Sequence, residues 1–199
     1  KNMMKHISGK AALLALSMVT ASAFASHWGY EGKESPEHWG ELDEAYKTCQ
    51  KGMNQSPINI DSTLDAHLSP LQTHYIDGPV TLTNNGHTIQ ASEPADTRDT
   101  ITLDKQTWTL QQFHFHSPSE NTVHGKKYAM EMHLVHKNAA GELTVVAVMF
   151  DKGAANPELE KLWSVMPQLA EQNVSIKGDL NLNTLLPEDK TYFRFSGSL

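Results

Sequence analysis

The sequence QFHFHSPSE, residues 112–120, places two histidines one residue apart in a segment with the composition of a β-strand. In a strand the side chains of residues i and i+2 point to the same face, so His114 and His116 are predicted to project together from one face of a sheet. Gln112 shares that face. The fold depends on this strand and on the segments that can pair with it in a sheet.

A second pair of histidines, His133 and His136, lies in the sequence EMHLVH. Polar residues, a proline and a glycine separate the two segments, so residues 127–137 can return antiparallel beside the first strand. His133 and His136 are three residues apart and must point to opposite faces. Side-chain alternation therefore groups His133 with His114 and His116 and excludes His136.

Three neutral imidazoles without a fourth protein ligand describe an open zinc site, in which the remaining tetrahedral position is left for water. Gln112 and Glu131 each lie two residues before a predicted ligand, on the same faces, where residues that orient metal ligands are found. The sequence therefore predicts that His114, His116 and His133 bind Zn²⁺. His124, beside a glycine in the predicted turn, is expected to be exposed and not a ligand.

The first 25 residues have the pattern of a secretory signal peptide: lysines, then an apolar stretch, then Ala-Phe-Ala. The apolar stretch is too short to span a bilayer, so an exported protein with a domain over residues 26–199 is predicted. Residues 1–25 hold three of the 16 Lys and Arg and none of the 23 Asp and Glu, so their removal changes the net charge from −7 to −10. Such a charge disfavours nucleic acid and anionic membranes as partners.

Most of the remaining sequence is typical of strands. An Asn-Gly turn at 85–86 separates VTLTN (80–84) from HTIQAS (87–92) and predicts a hairpin. Further strands are predicted at 101–104, 107–116, 127–137 and 143–150; the last is apolar almost throughout and is predicted to be central and buried on both faces. One helix is predicted after Asn156, which can cap it, with Pro157 in its first turn. The fold class is a β-rich α+β domain.

Six motifs span nearly all of residues 26–199: SPEHWGEL (35–42), QSPINI (55–60), NNGH (84–87), QFHFHSPSEN (112–121), EMHLVH (131–136) and SGSL (196–199). In their order and spacing they resemble the α-class carbonic anhydrases of the bacterial, periplasmic type. The resemblance implies a large, twisted, mostly antiparallel sheet and the reversible hydration of carbon dioxide to bicarbonate and a proton.

The resemblance also implies roles for individual residues. It makes His114, His116 and His133 the zinc ligands, with Gln112 and Glu131 orienting them. It implies that Glu120 accepts a hydrogen bond from a threonine hydroxyl. The other implied positions are His87 as proton shuttle, Tyr30, Asn85 and Gln90 as residues that hold waters on the proton path, and Val135, Val145 and Leu199 as walls of the substrate pocket.

The resemblance further implies partners and a location. Anion and sulfonamide-type inhibitors are expected to bind, the assembly is expected to be a monomer or homodimer, and the location is expected to be the periplasm. In the family, the threonine that partners Glu120 and a cysteine that pairs with Cys49 lie beyond the position of Leu199. The sequence is therefore interpreted as a C-terminally truncated chain, with low stability and low activity expected. Without the resemblance, Cys49 could equally be a free thiol or form an intermolecular bridge.

Two alternatives remain at this point. His114-x-His116 followed by Glu120 also imitates the metal-binding motif of cupin-type oxygenases, in which Glu120 would be a ligand; iron or manganese would favour that interpretation. The other alternative is a periplasmic zinc-binding module related to carbonic anhydrases but without catalysis.

Overall fold

The structure is a computed structural model that describes residues 27–198. The predicted signal peptide, residues 1–25, and the predicted pocket residue Leu199 lie outside the described residues. Within the described part of the chain, no helix is both long and apolar enough to cross a membrane.

Eleven strands are found in residues 27–198, and most of them belong to one mainly antiparallel sheet. They are β1 Asn59–Ile60, β2 Gln72–His74, β3 Thr81–Asn84, β4 Ile89–Ser92, β5 Thr100–Leu103, β6 Gln106–His116, β7 Thr122–Val123, β8 Lys126–Lys127, β9 Met130–Lys137, β10 Leu143–Phe150 and β11 Asn173–Ser175. The large sheet has eight strands, with the order β10-β9-β6-β4-β3-β11, and β5 pairs with both β2 and β6. Strands β1, β7 and β8 form a separate small sheet. The predicted β-rich class and antiparallel sheet are confirmed.

Strand β6 is the centre of this arrangement, because it pairs with β4 and β5 on one side and β9 on the other. In its pairing with β9, Leu110 lies opposite His136 and Gln112 lies opposite Val135. Gln111 is the extra residue of a β-bulge between these two pairs. Beyond the bulge the ladder is regular as far as His116.

The two faces of the β6–β9 pair have different environments. On one face, Phe113, Met132 and Leu134 have no exposed surface and belong to the hydrophobic core. Each such buried apolar side chain contributes roughly 1.5–3 kcal/mol relative to exposure, so this face stabilises the sheet. The other face carries His114 and His133, which are only partly buried. A packed core on one side thus supports an accessible histidine face on the other.

The helices are short. They are α1 Trp39–Leu42, α2 Thr48–Lys51 and α3 Pro157–Trp163, with 3₁₀ turns at Gly32–Glu34, Pro36–His38, Glu44–Tyr46 and Leu182–Leu185. Asn156 caps α3 as predicted, since its side-chain oxygen accepts the backbone N–H groups of Glu158 and Leu159. Leu159 and Leu162 bury the inner face of α3 against the core.

The predicted hairpin is confirmed, with Asn84 paired to Ile89 across a four-residue turn. The side-chain oxygen of Asn85 accepts the backbone N–H groups of His87 and Thr88, and Gly86 takes a positive φ of 86°. These contacts fix the position of the His87 backbone in the turn between β3 and β4.

The prediction that residues 143–150 form a central strand buried on both faces is wrong for the described chain. Strand β10 stands at the end of the strand order, and Ala147 is exposed. A continuous apolar run predicts burial but does not say how many neighbouring strands provide it.

Candidate metal centre

The ladder between β6 and β9 brings three histidines together. His114 lies directly opposite His133, and His116 lies opposite Glu131. One ring nitrogen from each of His114, His116 and His133 lies within 4.8 Å of the others. The ring centroids are 4.7–5.2 Å apart. This spacing can accommodate one metal ion among the three rings.

Hydrogen bonds fix which nitrogen of two rings is free. His114 Nδ1 lies 2.7 Å from Gln112 Oε1, which leaves Nε2 of that ring available. His133 Nε2 lies 2.9 Å from Glu131 Oε1, which leaves Nδ1 available. Both oxygens are acceptors, so each bonded nitrogen carries the proton and the opposite nitrogen has a free lone pair. The donor set is therefore prepared for a divalent cation such as zinc.

Glu131 is a buried carboxylate with several donors directed at it. Its Oε2 accepts the backbone N–H groups of Glu120 at 2.7 Å and Asn121 at 2.9 Å, and its Oε1 accepts the Asn121 side-chain amide at 2.7 Å. Burial alone would raise the pKa of Glu131, but the hydrogen bonds from His133 and Asn121 outweigh it and the pKa lies below the usual value. Glu131 is therefore held ionised, as a fixed acceptor for His133.

The pKa values of His114 and His116 favour the neutral forms of these two rings. Burial, followed by the neighbouring charges of His133 and His116, lowers the pKa of His114 to about 4. Burial also lowers the pKa of His116, against the opposing effect of Glu120. Neutral imidazole is the form that binds a metal, so little proton displacement is needed at neutral pH.

Glu120 lies beside the triad and is held by a residue from the N-terminal segment. Its Oε1 accepts the hydroxyl of Tyr30 at 2.7 Å. Its Oε2 lies 3.4 Å from His116 Nε2 and 3.9 Å from His133 Nδ1. Tyr30, expected among residues that hold waters, thus bonds directly to Glu120. Burial and this contact raise the pKa of Tyr30.

His87 lies at the end of the β3–β4 turn, among aromatic side chains. Its ring stacks on Trp28 with centroids 3.9 Å apart and lies 5.0 Å from the ring of His27. Burial, followed by the charge of His27, lowers the pKa of His87. The side chain is exposed and can exchange protons with solvent.

Asn85 and Gln90 connect the hairpin turn with the strand pair that carries His114. Asn85 Nδ2 donates to Gln90 Oε1 at 3.4 Å, and Gln90 pairs with His114 across β4 and β6. These two amides form a polar line from the hairpin turn to the strand position opposite His114.

The predicted pocket residues Val135 and Val145 are paired on β9 and β10, and Val135 also lies opposite Gln112. They therefore share the histidine face, and the pair of Gln112 and Val135 lies two positions along the ladder from the pair of His114 and His133.

His136 and His124, which the sequence excludes as metal ligands, lie away from the triad. His136 is fully buried on the opposite face, where its Nε2 lies 2.9 Å from the hydroxyl of Tyr75. His124 lies in the β7–β8 turn, exposed, 3.2 Å from Asp61. The structure thus brings together His114, His116 and His133 and leaves these two out.

Asn121 is a site residue that the sequence does not predict. It lies in the motif QFHFHSPSEN, where a polar residue after a predicted turn has no pattern that indicates a role. In the structure it is 7% exposed and bonds to Glu131. Its position directly after Glu120 was the one available signal.

Comparison with known proteins agrees with this geometry. The profile of the eukaryotic-type carbonic anhydrase family matches residues 34–199. A protein of Klebsiella pneumoniae named carbonic anhydrase is 69% identical over 196 residues, which cover 98% of this chain and 80% of that protein.

Solved structures give the same result. The α-carbonic anhydrase of Thermovibrio ammonificans, in complex with the inhibitor sulfanilamide, has a TM-score of 0.83 at 44% identity, over 87% of this chain and 77% of that chain. The Photobacterium profundum α-carbonic anhydrase has a TM-score of 0.79 at 47% identity, with the same coverage. The cupin alternative is therefore wrong.

Proposed function

The chain belongs to the eukaryotic-type carbonic anhydrase family, whose general function is the zinc-dependent hydration of carbon dioxide, and we propose that its zinc ion binds to His114, His116 and His133. The observation that carries this proposal is the convergence of three ring nitrogens within 4.8 Å. The contacts of Gln112 and Glu131 support it, because they leave a free lone pair on His114 and on His133.

Zinc held by three imidazoles lowers the pKa of a water ligand to about 7 and so supplies the nucleophile, an effect for which carbonic anhydrase is itself the standard example. The surrounding residues provide a surface for carbon dioxide, a hydrogen-bond acceptor near the metal and a route for the proton. Val135 and Val145 offer an apolar surface for carbon dioxide, which has no charge and gains nothing from a polar wall. Bicarbonate, the charged product, is disfavoured on the same surface.

Glu120 acts in this proposal as a fixed hydrogen-bond acceptor. Tyr30 occupies Oε1, so Oε2, which faces His116 and His133, is the oxygen left to accept a hydroxyl near the metal. In the family this hydroxyl belongs to a threonine, and the bond selects ligands that can donate a proton.

His87 is the residue we propose to move the proton to solvent. Its exposed ring lies at the end of the polar line formed by Asn85 and Gln90. A pKa lowered from 6.5 leaves it neutral at pH 7 and able to accept a proton, which it then passes to buffer.

We also propose a location and ligands. Residues 1–25 direct export to the periplasm, and residues 26–199 form the catalytic domain. Sulfonamides bind at the triad, by analogy with the sulfanilamide complex of the Thermovibrio ammonificans enzyme. N-terminal sequencing of the protein recovered from the periplasm tests cleavage after Ala25. An uncleaved N-terminus on the exported protein would contradict it.

The experiment that tests the proposed site is stopped-flow hydration of carbon dioxide with zinc quantified in the same sample. One zinc per chain is expected, and the change His133→Ala is expected to remove both zinc and activity. The matched control is His136→Ala, which removes a histidine of the same strand from the opposite face. Zinc bound without hydration would favour a non-catalytic zinc-binding module, and zinc retained by His133→Ala would refute the assignment of ligands.

A further inference from the structure

Asn121 makes two hydrogen bonds of opposite polarity with its side chain. Its Nδ2 donates to Glu131 Oε1 at 2.7 Å, and its Oδ1 accepts the backbone N–H of Ile58 at 2.8 Å. A side-chain amide has separate donor and acceptor atoms, so it can donate on one side and accept on the other. Asn121 is 7% exposed, so water competes little with either bond.

The Glu131 oxygen that receives Asn121 also receives the proposed ligand His133. Oε1 lies 2.7 Å from Asn121 Nδ2 and 2.9 Å from His133 Nε2. The backbone N–H of Asn121 contacts the other oxygen of the same carboxylate at 2.9 Å. Asn121 therefore holds both ends of Glu131 and limits its rotation about the terminal torsion, which is otherwise soft.

We infer that Asn121 is a positioning residue for the metal centre, which fixes Glu131 and through it the ring of His133, and links the centre to the loop that contains Ile58. This inference rests on the proposed function, because it takes His133 as a zinc ligand. Asn121 acts on the metal centre through Glu131 and His133, without contacting the metal or the three imidazole rings itself.

The effect expected is on metal retention. Residues that orient metal ligands change metal affinity by about 10- to 100-fold when they are replaced. Asn121 acts one bond further out, through the Glu131 oxygen that also accepts the ring of His133. Loss of its Nδ2 donor removes the second restraint on that oxygen, while the backbone N–H groups of Glu120 and Asn121 still hold the other oxygen, so Glu131 orients His133 less firmly.

The test is the rate at which zinc leaves the full chain to an excess of chelator at pH 8, measured for three variants. Asn121→Asp keeps the acceptor for Ile58 but replaces the donor with an acceptor that faces Glu131, so it separates the two contacts. Asn121→Ala removes both. The matched control is Ser119→Ala, because Ser119 is buried in the same loop, with 1% of its surface exposed. The Ser119 hydroxyl donates to the carbonyl of Asn121 and accepts the backbone N–H of Tyr128. Among the described residues it makes no hydrogen bond to Glu131.

We expect Asn121→Asp and Asn121→Ala to release zinc about 10-fold faster or more, and Ser119→Ala to release it at close to the wild-type rate. Thermal unfolding of the metal-free variants shows whether their losses of stability are comparable. Release by Asn121→Asp at the rate of Ser119→Ala would overturn the inference and leave the proposed function standing. A wild-type chain that binds no zinc would overturn both.

Discussion

The hydroxyl of Tyr30 donates a hydrogen bond to Glu120 across 90 positions of sequence, at 2.7 Å. This contact joins the N-terminal segment to the loop that follows β6. Trp39 extends the connection, since its ring lies against Tyr30 and its indole N–H donates to the carbonyl of Gly29. The N-terminal segment therefore forms part of the site, because it supplies a hydrogen-bond donor to Glu120.

The change Tyr30→Phe tests this connection. It removes one hydrogen bond to a carboxylate and leaves the ring, so we expect the free energy of unfolding to fall by about 1 kcal/mol. Urea denaturation measures this loss. Tyr46→Phe is the matched control, because the described residues offer the hydroxyl of Tyr46 no hydrogen bond. Equal losses in the two variants would show that the bond to Glu120 contributes nothing.

Gln112 orients His114, and its removal is expected to weaken zinc binding. Gln112→Ala takes away the acceptor 2.7 Å from His114 Nδ1, so the ring loses its fixed tautomer, and the zinc dissociation constant is expected to rise about 10- to 100-fold. Competition with a metal indicator gives this constant. Gln111→Ala, a change at the exposed bulge residue next to it, serves as the control. An unchanged constant for Gln112→Ala would contradict the proposed orientation.

His87 is expected to affect turnover but not the capture of carbon dioxide. His87→Ala should lower kcat by about 10- to 100-fold in dilute buffer and leave kcat/KM unchanged, because a proton relay acts after the chemical step. Imidazole buffer should restore kcat. His124→Ala, which removes an exposed histidine remote from the polar line, should change neither. A proportional fall in kcat and kcat/KM would place His87 in the chemistry itself and contradict the relay.

The buried His136 predicts a dependence of stability on pH. Burial lowers its pKa to about 4, whereas the unfolded chain has the ordinary value of 6.5. Between these values the unfolded state binds more protons, so the free energy of unfolding falls as the pH falls from 6.5 towards 4, by about 3 kcal/mol in total. The contribution is fully present above pH 6.5.

Urea denaturation of the metal-free chain at a series of pH values tests this dependence. His136→Gln should be less stable at pH 7 and should have a shallower slope between pH 6.5 and 4, by up to about 1.4 kcal/mol per pH unit. The metal-free state contains His114 and His116 in both proteins, so their titration cancels in the comparison. Identical slopes would show that His136 does not remain neutral in the folded chain.

Side-chain alternation was sufficient to predict which histidines meet. His114 and His116 share a face because they are two residues apart, and His133 was grouped with them and His136 excluded for the same reason. These relations depend only on strand geometry and pairing direction, which the turn residues and the apolar pattern encode locally. The cap at Asn156 and the hairpin at Asn85 and Gly86 are local signals of the same kind.

Contacts between distant segments could not be predicted in this way. Neither the bond from Tyr30 to Glu120 nor the bond from Asn121 to Ile58 has a periodic signal, because each joins a loop to another loop. The pairing of Tyr75 with His136 is a core contact that depends on how β2 and β9 lie in the folded sheet. The position of β10 depends on which strands lie beside it, which its own apolar residues do not encode.

The bulge at Gln111 has a consequence for the spacing along β6. Leu110 and Phe113 are three residues apart and both belong to the core, which strict alternation forbids. The bulge absorbs the extra residue, so that the half before it and the half that carries His114 can each keep their apolar side chains inward. If Gln111 entered the ladder as a regular paired residue, the two halves would be out of phase: either Leu110 would turn outward, or His114 and His116 would turn into the core. The orientation of the histidine pair therefore depends on one residue that stays out of the ladder and whose own side chain is exposed.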